Sequence, residues 1–173
     1  MYAAKYNELN DPMEGLYLYS KESTTFNQDV ARRLKGEKDI YRVCSLSEND
    51  SNDLMWSHYA DSHKGVAIGV AINTTKYLTK NIQYNGLFNL DSSNIGETTA
   101  VDILIHKHEV WEYEKEVRVF STDGTNFVNV DIKTVTAGFK MSNQDYSLVR
   151  DLINKVNPNI EVSRRVRPDI YVD

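Results

Sequence analysis

Carboxylates at alternate positions beside an arginine are the most reactive pattern in this chain. They lie in Trp111-Glu112-Tyr113-Glu114-Lys115-Glu116-Val117-Arg118-Val119-Phe120. A strand's period of two puts Glu112, Glu114, Glu116 and Arg118 on one face. Trp111, Tyr113, Val117 and Val119 take the other, with Lys115 the exception. Acids about 7 Å apart with a guanidinium alongside can supply a general base and its charge partner. The same row can also form a salt-bridge ladder on a solvated sheet face.

A second group is Trp56-Ser57-His58-Tyr59-Ala60, followed by His63 and the apolar run Gly65-Val66-Ala67-Ile68-Gly69. Helical spacing sets Met55 with Tyr59 on one face and Trp56 with His63 on the adjoining track. Such a helix can wall a pocket in which His58 or His63 donates to a ligand or moves a proton. It can also be a capped helix whose aromatics fill the core while its imidazoles bond backbone carbonyls. A third group, Asn10-Asp11-Pro12-Met13-Glu14-Gly15, is turn chemistry first. Its functional version has Asp11 or Glu14 facing the same pocket.

The remaining candidates are weaker. His106 and His108 are two apart on an expected helix and point in different directions, which makes a poor metal pair. No structural zinc or other metal site is expected. Ser45 and Ser47 end a strand, where hydroxyls cap loops. Arg164, Arg165 and Arg167 form a small basic cluster that reads as solvated. No glycine-rich nucleotide loop and no nucleophile-elbow motif is present.

These groups need elements to position them. The pattern predicts a short opening strand over 1–6 and a helix over 24–35, with Phe26, Val30 and Leu34 on one side and Gly36 as its stop. A strand over 40–46, a polar loop over 47–52 that caps a helix over 53–60, and a buried central strand over 65–72 follow. A short helix, a strand near 82–84 and a long loop fill 73–97, and a helix face runs from Val101 to His108. A strand over 114–121 enters a hairpin at Asp123-Gly124 and the sheet continues to Ala137. A helix over 143–156 precedes Pro158, and strands near 160–163 and 169–172 close the chain. The expectation is one α+β domain over 1–173, with about four helices on a mixed, largely antiparallel sheet.

Composition bounds the rest. The chain has 173 residues, 40% of them apolar and 10% aromatic, enough for one core. Eleven tyrosines against three prolines favour sheet over long irregular linkers. A net charge of -5 argues against a dedicated nucleic-acid binder. The single cysteine, Cys44, can form no internal disulfide. No secretory signal and no membrane-spanning run is seen, so the cytoplasm is the expected location.

Several segments together, in order, resemble a large bacterial family known as domain of unknown function 2971. They are Leu9-Asn10-Asp11-Pro12-Met13-Glu14; Cys44-Ser45-Leu46-Ser47-Glu48; Leu54-Met55-Trp56-Ser57-His58-Tyr59-Ala60; His63-Lys64-Gly65-Val66-Ala67-Ile68-Gly69; and Lys107 with Trp111 through Arg118. The tail from Ile132 through Val172 is similar too. The resemblance implies that these blocks meet in one site. It differs at the start, where members usually carry a strand and helix and this chain opens almost directly on the Asn-Asp-Pro block.

Two functions remain open. A strand ending in Ser45-x-Ser47 followed by a strand carrying Glu114-x-Glu116 is similar in order to the ADP-ribosyltransferase superfamily, which would make NAD the cofactor. That resemblance implies Glu116 as the catalytic carboxylate, Glu114 as the group orienting the acceptor, and Trp56 or Tyr59 stacking on a ring. Its basic or histidine residue on a first strand is missing here. The alternative is a non-catalytic module, in a defence or stress system, that binds a small nucleotide-like ligand or a partner protein. On the enzyme reading Glu116, Glu114 and His58 are the catalytic candidates; on the binding reading Arg118 and His58 are recognition groups that the carboxylates hold in place. Asn10, Asp11, Ser45, Ser47, Trp56, Tyr59, His63 and Arg118 are the binding candidates.

Overall fold

The computed structural model describes residues 1–20 and 28–166. In chain order it contains β1 (Tyr17–Tyr19), α1 (Gln28–Ile40), β2 (Arg42–Ser47), α2 (Asp53–Tyr59), β3 (Val66–Ile72), β4 (Leu78–Asn81), β5 (Phe88–Leu90), α3 (Ala100–Leu104), β6 (Glu116–Ser121), β7 (Val130–Ala137), α4 (Asn143–Val156) and β8 (Glu161–Arg164). Single 3-10 segments occur at Tyr6–Glu8 and Glu109–Glu114. This is an α+β fold whose sheets are mixed and mostly antiparallel. Among the described residues no helix is long and apolar enough to cross a membrane.

The described residues form two compact units, one of 1–20, 28–48 and 73–129, the other of 49–72 and 130–166. In the first, β6 is the centre of a three-stranded antiparallel sheet between β2 and β4. The register pairs Val43 with Phe120, Ser45 with Arg118 and Ser47 with Glu116, so these six side chains share a face. The apolar end of that face, Val43 and Phe120, packs with Ala100, Val101, Leu104 and Ile105 of the α3 region. The α3 helix is only five residues long, and Thr99 with Asp102 forms a capping box that defines its start. Its four buried side chains, not its length, hold it. A smaller core joins Leu34 of α1 to Leu90 and Ile103, beside the parallel β1–β5 pair.

In the second unit β7 lies between β3, antiparallel, and β8, parallel. Asn52 caps α2, its side-chain oxygen accepting from the Leu54 and Met55 amides. Trp56 is buried, its Nε1 donating to Asp50 O at 2.5 Å and its ring lying 5.4 Å from the Arg165 guanidinium.

Several expectations change. The first helix runs through Gly36 to Ile40, because Leu34 and Lys38 on either side of the glycine are both buried; residues 24–27 lie outside the described part. The run 66–72 has one hydrogen-bonded neighbour and no fully buried residue, so it is an edge strand rather than a central one. The turn at Asp123-Gly124 forms, with Gly124 at φ 78, but β6 and β7 belong to different sheets and no hairpin results. Between 73 and 97 there is no helix; β4 and β5 are there instead. Residues 1–6 make only isolated bridges, at Tyr2 and Ala4. The strand expected at 169–172 falls outside the described residues.

Candidate functional site

The acidic row is half strand and half turn. His108 caps the 3-10 segment, accepting from the Val110 amide at 3.3 Å, and Lys115 closes it in the left-handed region at φ 43. Two-fold alternation therefore begins only at Glu116. Glu112 stays exposed, whereas Glu114, Glu116 and Arg118 are buried. The solvated ladder, the alternative reading of this row, is not formed.

What forms is a buried five-charge cluster within the first unit. Arg118 is 0% exposed. Its Nε donates to Glu116 Oε1 at 2.8 Å and its Nη2 to Glu14 Oε1 at 2.6 Å. Its Nη1 donates to the Leu104 carbonyl at the end of α3. Lys107 Nζ donates to Glu114 Oε2 at 2.6 Å and to Glu116 Oε2 at 3.0 Å, and lies 3.7 Å from Glu14 Oε1. Its ammonium also sits 5.0 Å from the Trp111 ring centre. The Ser45 hydroxyl hydrogen-bonds the Glu116 carboxylate. Ser47 Oγ donates to Glu114 O at 2.7 Å, and the Glu116 amide donates to Tyr84 Oη at 2.6 Å.

Three carboxylates face two cations, and the excess falls on Glu14. Its Oε2 is buried without a hydrogen-bond partner. Burial raises the Glu14 carboxyl above its ordinary range and outweighs the attraction of Arg118, while the charge of Glu116 adds to the rise. Glu116 moves the other way: burial alone would raise it, but the charge and hydrogen bond of Arg118, then Lys107 and Ser45, hold it below. Burial would weaken the charged forms of Lys107 and Arg118, yet the glutamates reverse that and keep both cations charged. The cluster is a fixed, nearly neutral network in which Glu116 already accepts from three donors besides a second Arg118 contact at 3.3 Å.

The Asn-Asp-Pro block builds one side of it. Asp11 is buried and its Oδ1 accepts from the Met13 amide at 2.9 Å, the Asx turn expected of this tripeptide. The Glu14 amide returns to Asp11 O at 3.0 Å, which turns the Glu14 carboxylate toward Arg118. Gly15 follows at φ 71, with Tyr6 2.9 Å from the position a Cβ would take. Asn10 is exposed.

Of the sequence candidates, Ser45, Glu114, Glu116 and Arg118 meet in this cluster, with Ser47 and Asp11 bonded to its backbone supports. Glu14, one of the two turn residues that the functional version of the Asn-Asp-Pro block sets at the site, joins them, and Lys107, to which no role was given, completes the cluster. A signal for Lys107 existed: a lysine two residues after the apolar run Ile103-Leu104-Ile105 must find a partner if it is buried. Trp56, His58, Tyr59 and His63 belong to the second unit. There His63 is buried, its Nε2 3.2 Å from Ser57 Oγ and its ring 4.5 Å from that of Phe139. His58 and Tyr59 are exposed and meet edge to face at 6.1 Å. Arg165 is not a solvated cation; it donates to Asp53 at 2.6 Å and to the Ser51 carbonyl at 2.5 Å. Arg167 lies outside the described residues.

A concavity opens at the other end of β6, about five residues or roughly 17 Å from Glu116. It encloses about 320 Å³ and is lined by Tyr41, Lys76, Tyr77, Leu78, Phe120 and the Ser121–Asp123 turn. Tyr41 and Phe120 meet edge to face at 5.6 Å. The Asn129 amide donates to Tyr77 Oη at 3.1 Å, and that bond together with Lys76 lowers the phenol below its ordinary value. No protein-family model matches the chain, and neither does a curated protein or a solved structure.

Proposed function

We propose that this chain is a non-catalytic ligand-binding module that takes a small nucleotide-like molecule into the cleft lined by Tyr41, Lys76, Tyr77 and Phe120. The observation that carries this reading is the division of labour along β6. At its start the acids are buried and paired with Arg118 and Lys107; at its end the half-buried Tyr41 and the exposed Lys76 border open space, over the buried Tyr77 and Phe120. A volume of about 320 Å³ falls within the usual range for small-ligand sites. Aromatic side chains suit a planar ring and Lys76 suits an anionic group. The buried cluster then serves as the rigid base of the sheet that carries the cleft.

Calorimetric titration with nucleoside monophosphates and NAD tests the proposal. Binding is expected to be lost in Tyr41→Ala and weakened about tenfold in Lys76→Ala. No heat and no rise in melting temperature with any of them would sink it.

One observation favours a second reading, the ADP-ribosyltransferase-like enzyme. The Ser45 hydroxyl lies on Glu116, as a serine-bearing strand supporting a catalytic glutamate requires. Against it, that carboxylate is already occupied by Arg118 and Lys107. Incubation with NAD decides: nicotinamide release that disappears in Glu116→Gln supports the enzyme, and none above that control removes it.

A further inference from the structure

The outer side of α4 carries Leu148, Leu152 and Val156, which are 68%, 58% and 71% exposed. Four-residue spacing puts them in one stripe. The helix is attached to its unit by a different stripe, the half-buried Tyr146, Val149 and Ile153. Its first turn is clamped by β8: Arg164 Nη1 donates to Asn143 Oδ1 at 2.8 Å, and the guanidinium lies 4.4 Å from the Tyr146 ring centre. The outer stripe is therefore presented on a fixed helix and is not needed to hold it. Isolated exposed leucines are common on protein surfaces, but three large aliphatics in a row on one helix face are the pattern of a contact site.

Charge around the stripe selects the occupant. Asp145 stands three residues before Leu148 and Lys155 three residues after Leu152, both exposed and on the same side of the helix. The order acid, leucine, leucine, base reads the same from either end with the signs exchanged. Two such helices laid antiparallel about a two-fold axis level with Arg150 bring Leu148 against the partner's Leu152 and Asp145 against the partner's Lys155. Self-complementarity of this kind is what a two-fold interface requires. A partner with another sequence would have no need of the sign exchange.

We propose that the Leu148–Leu152–Val156 face of α4 is the docking surface for a second copy of this chain, paired antiparallel.

Sedimentation equilibrium of the full chain from about 10 μM to about 1 mM tests it. The average mass is expected to climb from that of the monomer toward twice that value. Leu152→Glu should remain monomeric with an unchanged far-ultraviolet circular dichroism spectrum. Lys155→Glu, which sets two acids against each other twice per dimer, should weaken association roughly tenfold. Cys44 is buried and is the only cysteine, so engineered thiols can be read without interference. Mixed Leu148→Cys and Leu152→Cys chains should cross-link to each other faster than either does to itself. A monomer at every concentration overturns the proposal, as does a dimer indifferent to Leu152→Glu or one that cross-links mainly like to like. A monomer that instead binds anionic phospholipid vesicles through the stripe overturns it as well.

Discussion

Glu14 and Arg118 are 104 positions apart in the chain, yet Arg118 Nη2 donates to Glu14 Oε1 at 2.6 Å. Their side chains are only 4% and 0% exposed. The contact joins the Asn-Asp-Pro turn to the central strand β6. It closes with Glu116, Lys107 and Glu114 into a network that leaves one carboxylate in excess. Removing two charges from water is costly, and attraction repays that only where geometry and hydrogen bonds are complete. Here they are complete for Arg118, Lys107 and Glu116, and incomplete at Glu14 Oε2.

Arg118→Met should therefore be severe. It strands Glu14 and Glu116 in the interior together and frees the Leu104 carbonyl, so a loss of about 3–5 kcal/mol is expected in urea denaturation. Glu14→Gln should cost less than about 1 kcal/mol at neutral pH, since it relieves the acidic excess and keeps one acceptor for Arg118. Equal losses in the two variants would mean that Glu14 is held as a full ion pair.

The pH dependence follows with opposite signs at two glutamates. Glu14 is raised above its ordinary 4.5 on folding, so its contribution is fully present below that value and is lost as pH rises through the folded-state pKa. Glu116 is lowered, so its contribution is present above 4.5 and is lost as pH falls through the folded-state value. Wild-type stability relative to Glu14→Gln should fall as pH rises above 4.5, while stability relative to Glu116→Gln should fall as pH drops below 4.5. Parallel slopes for the two differences would contradict this assignment.

Local signals made parts of this legible in advance. The α4 boundaries could be read from apolar residues at helical spacing and Pro158 beyond the end, and the structure adds the Ser142 cap. The α2 helix could be read from its polar cap and Trp56. Longer-range effects could not be read. Gly36 looks like a stop, but Leu34 is fully buried and Lys38 donates to Gly15 O at 2.8 Å between the Tyr6 and Tyr17 rings. Tertiary contact outweighs the roughly 1 kcal/mol that a helical glycine costs. Trp111–Glu114 alternates like a strand but turns, because His108 supplies a cap and Lys115 accepts a left-handed backbone. The acids were identifiable from spacing; their burial depends on Lys107 and Glu14, which come from other segments.

Asn52→Ala tests how far α2 depends on its cap. The Asn52 oxygen accepts from Leu54 N at 2.8 Å and Met55 N at 3.4 Å, and the helix has only seven residues. A loss of about 1 kcal/mol is expected, with faster amide exchange at Leu54 and Met55. Unchanged exchange would show that Trp56 and Arg165 hold the helix without it.

Gly138→Ala separates two kinds of tight glycine. A Cβ at Gly138 would stand 2.0 Å from the His63 carbonyl oxygen, a backbone atom fixed by the Lys140 amide at 3.1 Å. At Gly69 the nearest atom is Thr134 Oγ1 at 2.2 Å, the end of a side chain able to rotate. The backbone clash has no inexpensive escape, so Gly138→Ala should cost about 2–3 kcal/mol and displace the loop at Asp61–His63, where all three residues already have positive φ. Gly69→Ala should cost about 1 kcal/mol or less, because a turn of the threonine about χ1 makes room. Thermal melts of the two variants measure the difference. If Gly69→Ala proved the more damaging, the Thr134 side chain, rather than the His63 backbone, would be the rigid neighbour.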